Sequence, residues 1–190
     1  MALSDIALCS KALAKLGAEA ISSFEDGSYE AEVATSLYGS TRDALLSSYP
    51  FSFASGQRSI PKLTTTPVAD FGYAYQLPSD FLRALSVGTG TEGRGIEYRI
   101  SERRIHADAG DTIILTYIFR PDESTFPPFF DQCLIAHLAA EFCIPITDST
   151  SRADLMAGLA EKSFRGAKLI DSQQQTPVAL EDFTLIDVRG

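Results

Sequence analysis

Residues 129–144 are apolar on nearly every face of a helix, and no other feature constrains the fold of this chain as strongly. A helix with one apolar stripe lies on a surface, whereas one that is apolar all round has to be enclosed by other elements. The rest of the chain must therefore supply packing partners on several sides. Pro127 and Pro128 stand where a first helical turn tolerates a missing N–H. Pro145 is expected to stop this central helix.

Two candidate partners precede it. Ser4 is placed to N-cap a helix that carries Asp5 in its first turn and ends at Gly17 in a left-handed cap. Ile6, Cys9, Leu13 and Leu16 form its apolar stripe. Ser28 caps a second helix after the turn signal at Glu25, Asp26 and Gly27, with Glu30 and Glu32 suited to the positive end of its dipole. Its stripe runs through Ala34, Leu37, Tyr38, Thr41 and Leu45, and Pro50 ends it. The pair reads as an antiparallel helical hairpin. A fourth helix is predicted over 152–170, capped from 148–151, with Leu155, Met156, Leu159 and Ile170 turned inward.

Between the halves the pattern changes. Residues 51–120 hold prolines at 61, 67 and 78, glycines at 72, 88, 90, 93, 95 and 110, and short β-rich runs. Strands are predicted over 73–76, 81–87, 96–100, 104–107 and 112–119, the last two joined as a hairpin by a tight turn at 108–111. The expected fold is α+β: an antiparallel bundle of about four helices, an inserted small antiparallel β-sheet and an extended C-terminal tail. The divisions are 1–50 for the helical hairpin, 51–125 for the β-rich insertion, 126–172 for two further bundle helices and 173–190 for the tail.

Composition narrows the function. Sixteen Lys and Arg against twenty-five Asp and Glu give a net charge of −9, which repels polyphosphate at long range and argues against sequence-specific nucleic-acid binding. At 190 residues a core needs no disulfide or structural metal. The odd count of three cysteines, Cys9, Cys133 and Cys143, all on apolar helical patterns, predicts reduced thiols acting as small hydrophobes. No membrane span and no secretory signal are read, so synthesis in the cytoplasm is expected.

Motifs that resemble chemistry have plainer readings. Gly88, Gly90 and Gly93 match G-x-G-x-x-G after a predicted strand. A dinucleotide site needs a helix to open there, and residues 94–100 alternate like a strand, so a glycine-rich hairpin loop is expected instead. Cys133, His137 and Glu141 align on one helical face, but zinc wants three or four ligands, and the other histidine, His106, lies in a predicted hairpin with no metal motif around it. His137 is expected to be a hydrogen-bonded core histidine. No G-x-S-x-G elbow and no Cys–His pairing suits a nucleophile. Lys162, Arg165 and Lys168 drift across the solvent side of the last helix and read as dipole partners and wetting charges, the alternative being a stripe that meets an acidic partner or DNA phosphates. No catalytic residue, cofactor or metal is assigned.

The tail is the most informative local feature. Val178, Leu180, Phe183, Leu185, Ile186 and Val188 follow a polar lead-in at Gln173–Pro177. Apolar residues in a terminal segment need a cover. Two covers are open: the segment's own bundle, or another chain joined by strand addition or groove docking.

Several blocks together resemble the tail tubular protein A family, the head-to-tail adaptors of short-tailed phages and related prophages. They are residues 6–31 (IALCSKALAKLGAEAISSFEDGSYEA), 42–54 (RDALLSSYPFSFA), 75–83 (YQLPSDFLR) and the stretch 126–143, which begins FPPFFDQCL. Each block is unspecific singly; their order and spacing carry the likeness across most of the chain. The family commonly has Trp where Phe51 stands, and this chain has no Trp. The resemblance implies a structural virion protein rather than an enzyme. Its subunits, usually twelve, form a ring in the neck between the portal protein and the tail nozzle protein. Genomic DNA passes through non-specifically, and no membrane is involved. It also implies that the six apolar tail residues reach the portal or a neighbouring subunit. The alternatives are a small cytoplasmic enzyme built on the 88–95 loop or the Cys133 and His137 face, and an assembly chaperone.

Overall fold

A computed structural model describes residues 3–174. Four helices and two small antiparallel sheets make an α+β fold, with the strands between the second and third helices. The first two helices begin where their caps dictate. In α1 (Asp5–Leu16) the Ser4 hydroxyl accepts from the Ala7 N–H, and Gly17 closes the far end at φ 76°. In α2 (Tyr29–Ser48) Ser28 does the same for Ala31. Ser28 is itself held by Asp26, whose carboxyl these hydrogen bonds pull down to about 2. Both helices pack chiefly on α3 (Pro128–Thr147) rather than on each other.

α3 is the enclosed helix. Ten of its residues are buried, including Phe130, Leu134, Leu138 and Phe142, which have no exposed surface. By length and composition α3 could cross a bilayer, and 56% of its apolar window is buried inside the protein itself. Pro145 does not stop it. The ring removes one hydrogen bond, to the carbonyl of exposed Glu141, and the remaining turn closes regardless. Asp148 N–H reaches the Ile144 carbonyl and the Thr147 hydroxyl the Cys143 carbonyl. Asp148, left-handed at φ 49°, then turns the chain into α4 (Thr150–Ser172), which Ser149 caps.

The β-rich part is two sheets rather than one. β1 (Ser55–Pro61), β6 (Thr112–Phe119) and β3 (Phe81–Gly88) form the first, in the order β1-β6-β3. β2 (Tyr73–Gln76), β5 (Arg104–Ala107) and β4 (Tyr98–Ser101) form the second, in the order β2-β5-β4. The expected hairpin between β5 and β6 is absent, because the two strands lie in different sheets. The turn at 108–111 crosses between them, held by Gly72 N–H to the Asp108 carboxylate and by the Tyr75 hydroxyl to the Gly110 carbonyl. The two-residue hairpin is β4–β5, whose turn residues Glu102 and Arg103 both have positive φ.

Two cores result. Ile60, Tyr75, Val87, Ile105, Ile113, Leu115 and Tyr117 fill one among the strands. The helical core holds α1, α2 and α3 and takes in Phe51, Ala54 and Ile118 from the strand side. Phe51 is fully buried and meets Tyr49, Phe130 and Phe164 edge-on.

Candidate interaction surface

α4 faces the bundle with small residues. Ala153, Ala160 and Ala167 recur every seven residues along its inner side, where Ala160 and Ala167 are buried, and Met156 and Phe164 are partly buried against the core. Alanines at such a seam let the helix lie close to its neighbour. The large apolar residues point the other way. Leu155 is 61% exposed, Leu159 49%, Leu169 62% and Ile170 47%. The expectation that Leu155, Leu159 and Ile170 turn inward is therefore overturned; of the four residues named for the core, Met156 alone packs against it. At 3.6 residues per turn, Leu155, Leu159, Lys162, Gly166 and Leu169 stack along one outer line, with Gly158 and Ile170 beside it. A side chain added at Gly158 or Gly166 would meet nothing within 4 Å.

The end of this helix is anchored. Asp171, 3% exposed, accepts from the Ser52 N–H at 3.0 and 3.1 Å and from the Ser52 hydroxyl at 2.7 Å. Ser52 begins a short 3-10 turn before β1, so the carboxylate takes up an N–H that such a turn leaves unbonded. The residues that follow α4 thus leave from a fixed point, next to Leu169 and Ile170.

A second polar cluster ties α2 to the chain entering α3. Glu123 accepts from Arg42 at 2.6 Å and from the Tyr38 hydroxyl at 2.9 Å. Arg120 grips the Asp43 carboxylate with two nitrogens. Burial opposes ionisation of Glu123, but the Arg42, backbone and Tyr38 hydrogen bonds outweigh it and leave the carboxyl below its usual range. Asp131 contrasts with it. It is 7% exposed, its Oδ1 has no hydrogen-bond partner among the described residues, and burial pushes its carboxyl up, with Lys11 opposing.

The motifs with chemical resemblance settle into structural places. The 88–95 loop folds back over the β1-β6-β3 sheet, where the Gly93 carbonyl accepts from the Ser86 and Thr116 hydroxyls. A Cβ at Gly88 would lie 1.9 Å from the Glu92 carbonyl oxygen, so that glycine is required by close backbone approach. The chain continues to β4 and not into a helix. His137 Nδ1 lies 2.9 Å from the Cys133 carbonyl, and its ring meets Phe164 edge-on, while Glu141 stays exposed. His137 and Glu141 border a groove of about 260 Å³ with Thr41, Leu45, Glu161 and Phe164. Burial pushes the Cys133 and Cys9 thiols up to about 12, the opposite of what a nucleophile needs. Among the described residues no group of three His, Cys, Asp or Glu side chains could hold a metal.

Of the three cations expected on the solvent side of α4, Arg165 pairs with Glu161 one turn back, and Lys168 sits half-buried over the Phe164 ring. Lys162 stands on the apolar line with no ion pair among the described residues. The tail residues Val178, Leu180, Phe183, Leu185, Ile186 and Val188 lie outside the described residues. Charge is uneven along the chain: residues 1–50 carry seven acidic and three basic side chains, whereas 51–125 carry nine and eight. No protein-family model and no curated protein matches this chain.

Proposed function

We propose that this protein is a head-to-tail adaptor of a short-tailed phage or prophage: a structural subunit that forms a ring between portal and tail nozzle and lets DNA pass. The observation that carries the reading is the order and spacing of blocks 6–31, 42–54, 75–83 and 126–143, which span most of the chain. The outer face of α4, which turns four large apolar residues to solvent a short polar stretch before a further apolar segment, is a surface to be covered. The helical and β-rich parts have separate cores and can face different neighbours. The acidic excess of residues 1–50 suits the wall of a conduit, since it does not trap a moving polyanion.

In this reading the tail extends to the portal or to an adjacent subunit through Val178, Leu180, Phe183, Leu185, Ile186 and Val188. The subunit has a binding role only, without a cofactor. Co-sedimentation with purified portal rings tests it. Deleting residues 178–190 is expected to leave a folded bundle that no longer pellets with portal. Unchanged co-sedimentation would overturn the role of the tail, and failure of the whole chain to bind portal would overturn the assignment.

A further inference from the structure

The outer face of α4 has a shape and a charge that together indicate what covers it. Its two apolar ends, Leu155 with Leu159 and Leu169 with Ile170, are separated by a stretch where Gly166 leaves open space, and Gly158 leaves more beside Leu159. Each glycine weakens the helix relative to alanine, and nothing in the described fold crowds either position. Glycines on an exposed face let another backbone approach closely. Lys162 lies between the apolar ends and Arg152 beyond Leu155, both exposed and without an ion pair among the described residues.

Residues 178–188 are complementary to this face in composition. Six large apolar side chains are interspersed with the acids Glu181, Asp182 and Asp187. Reach and position agree. From Leu155 to Ile170 the helix rises about 22 Å at 1.5 Å per residue, and eleven extended residues span about 36 Å. The segment starts from the end of the face it would cover, because the Asp171 contact to Ser52 fixes the last turn of α4. Pro177 is a residue suited to opening a turn. So short a connection gives an effective local concentration on the order of millimolar, far above that of a second molecule in dilute solution.

We propose that in the free protein the outer face of α4 is the docking surface for this same molecule's residues 178–188. The inference goes beyond the adaptor reading and does not depend on it. If that reading also holds, portal and α4 compete for one segment, and the free subunit is held with its tail covered.

Methyl and amide NMR of the full chain, at two concentrations tenfold apart, tests it. In Phe183→Asp/Leu185→Asp the methyl signals of Leu155, Leu159, Leu169 and Ile170 are expected to shift. In Leu155→Asp/Leu159→Asp the amide signals of 178–188 are expected to move to the positions of the isolated peptide. Both effects should be the same at the two concentrations. Unmoved α4 methyls in the tail variant would overturn the proposal, and shifts present only at the higher concentration would assign the face to a second copy instead. Portal co-sedimentation of the wild-type chain is a separate readout, so failure there leaves this result standing.

Discussion

α3 and α4 are adjacent, of similar length, and separated only by Asp148 and Ser149, yet they spend their apolar residues in opposite ways. α3 buries ten residues and is surrounded; α4 buries Ala160, Ala167 and Asp171 and turns its leucines outward. One helix stabilises the fold, and the other presents an exposed apolar surface. The difference shows that apolar content alone does not mark a core helix. What matters is which line of a helix carries small residues, because that line can come close to a neighbour while a bulky line waits for something else.

Substitutions sharpen the contrast. The largest loss is expected from Phe142→Ala, which empties a fully buried site in α3 and should cost about 3–5 kcal/mol in urea unfolding. In α4 the sensitive residue is polar: Asp171→Ala strands the Ser52 N–H and should cost about 2–3 kcal/mol. Asp131→Asn is expected to act in the other direction. Its carboxyl is raised in the folded protein, so ionisation costs stability as pH rises through that raised value. The Asn variant should therefore be more stable at neutral pH, with the difference vanishing below the unfolded value near 4. Glu123 has the opposite sign. Its lowered carboxyl contributes stability above the unfolded value that is lost as pH falls through the folded one. Glu123→Gln should thus destabilise at neutral pH and converge with the wild type in acid.

The smallest effect is expected from Leu159→Ser on the outer face of α4, within about 1 kcal/mol by thermal or urea unfolding. A loss as large as that of Phe142→Ala would break the comparison, because it would mean that α4 is held by its leucines.

Caps and long periodic patterns were legible in the residues. Ser4, Gly17 and Ser28 act where their chemistry places them, and the all-round apolar run is the enclosed helix. β1 was not legible: Ser55, Gly56, Gln57, Arg58 and Ser59 bury nothing fully, and Ile60 alone in the strand is buried. An edge strand of this kind is defined by its pairing with β6 rather than by its own pattern. The split into two sheets also escaped local reading, because the 108–111 turn has the composition of a hairpin while Gly72 and Tyr75, over thirty residues away, redirect it. In α4 the signal was present as alanines at 153, 160 and 167, but leucines at helical spacing gave the stronger impression of a core stripe. The candidate surface followed only once burial separated the two lines.

The most direct measurement is electron cryo-microscopy of purified particles that encode this chain. The adaptor account predicts a ring of this protein between portal and nozzle, with residues 178–188 seated on a neighbouring chain and DNA passing through the centre. Mature particles from which the chain is absent would contradict it.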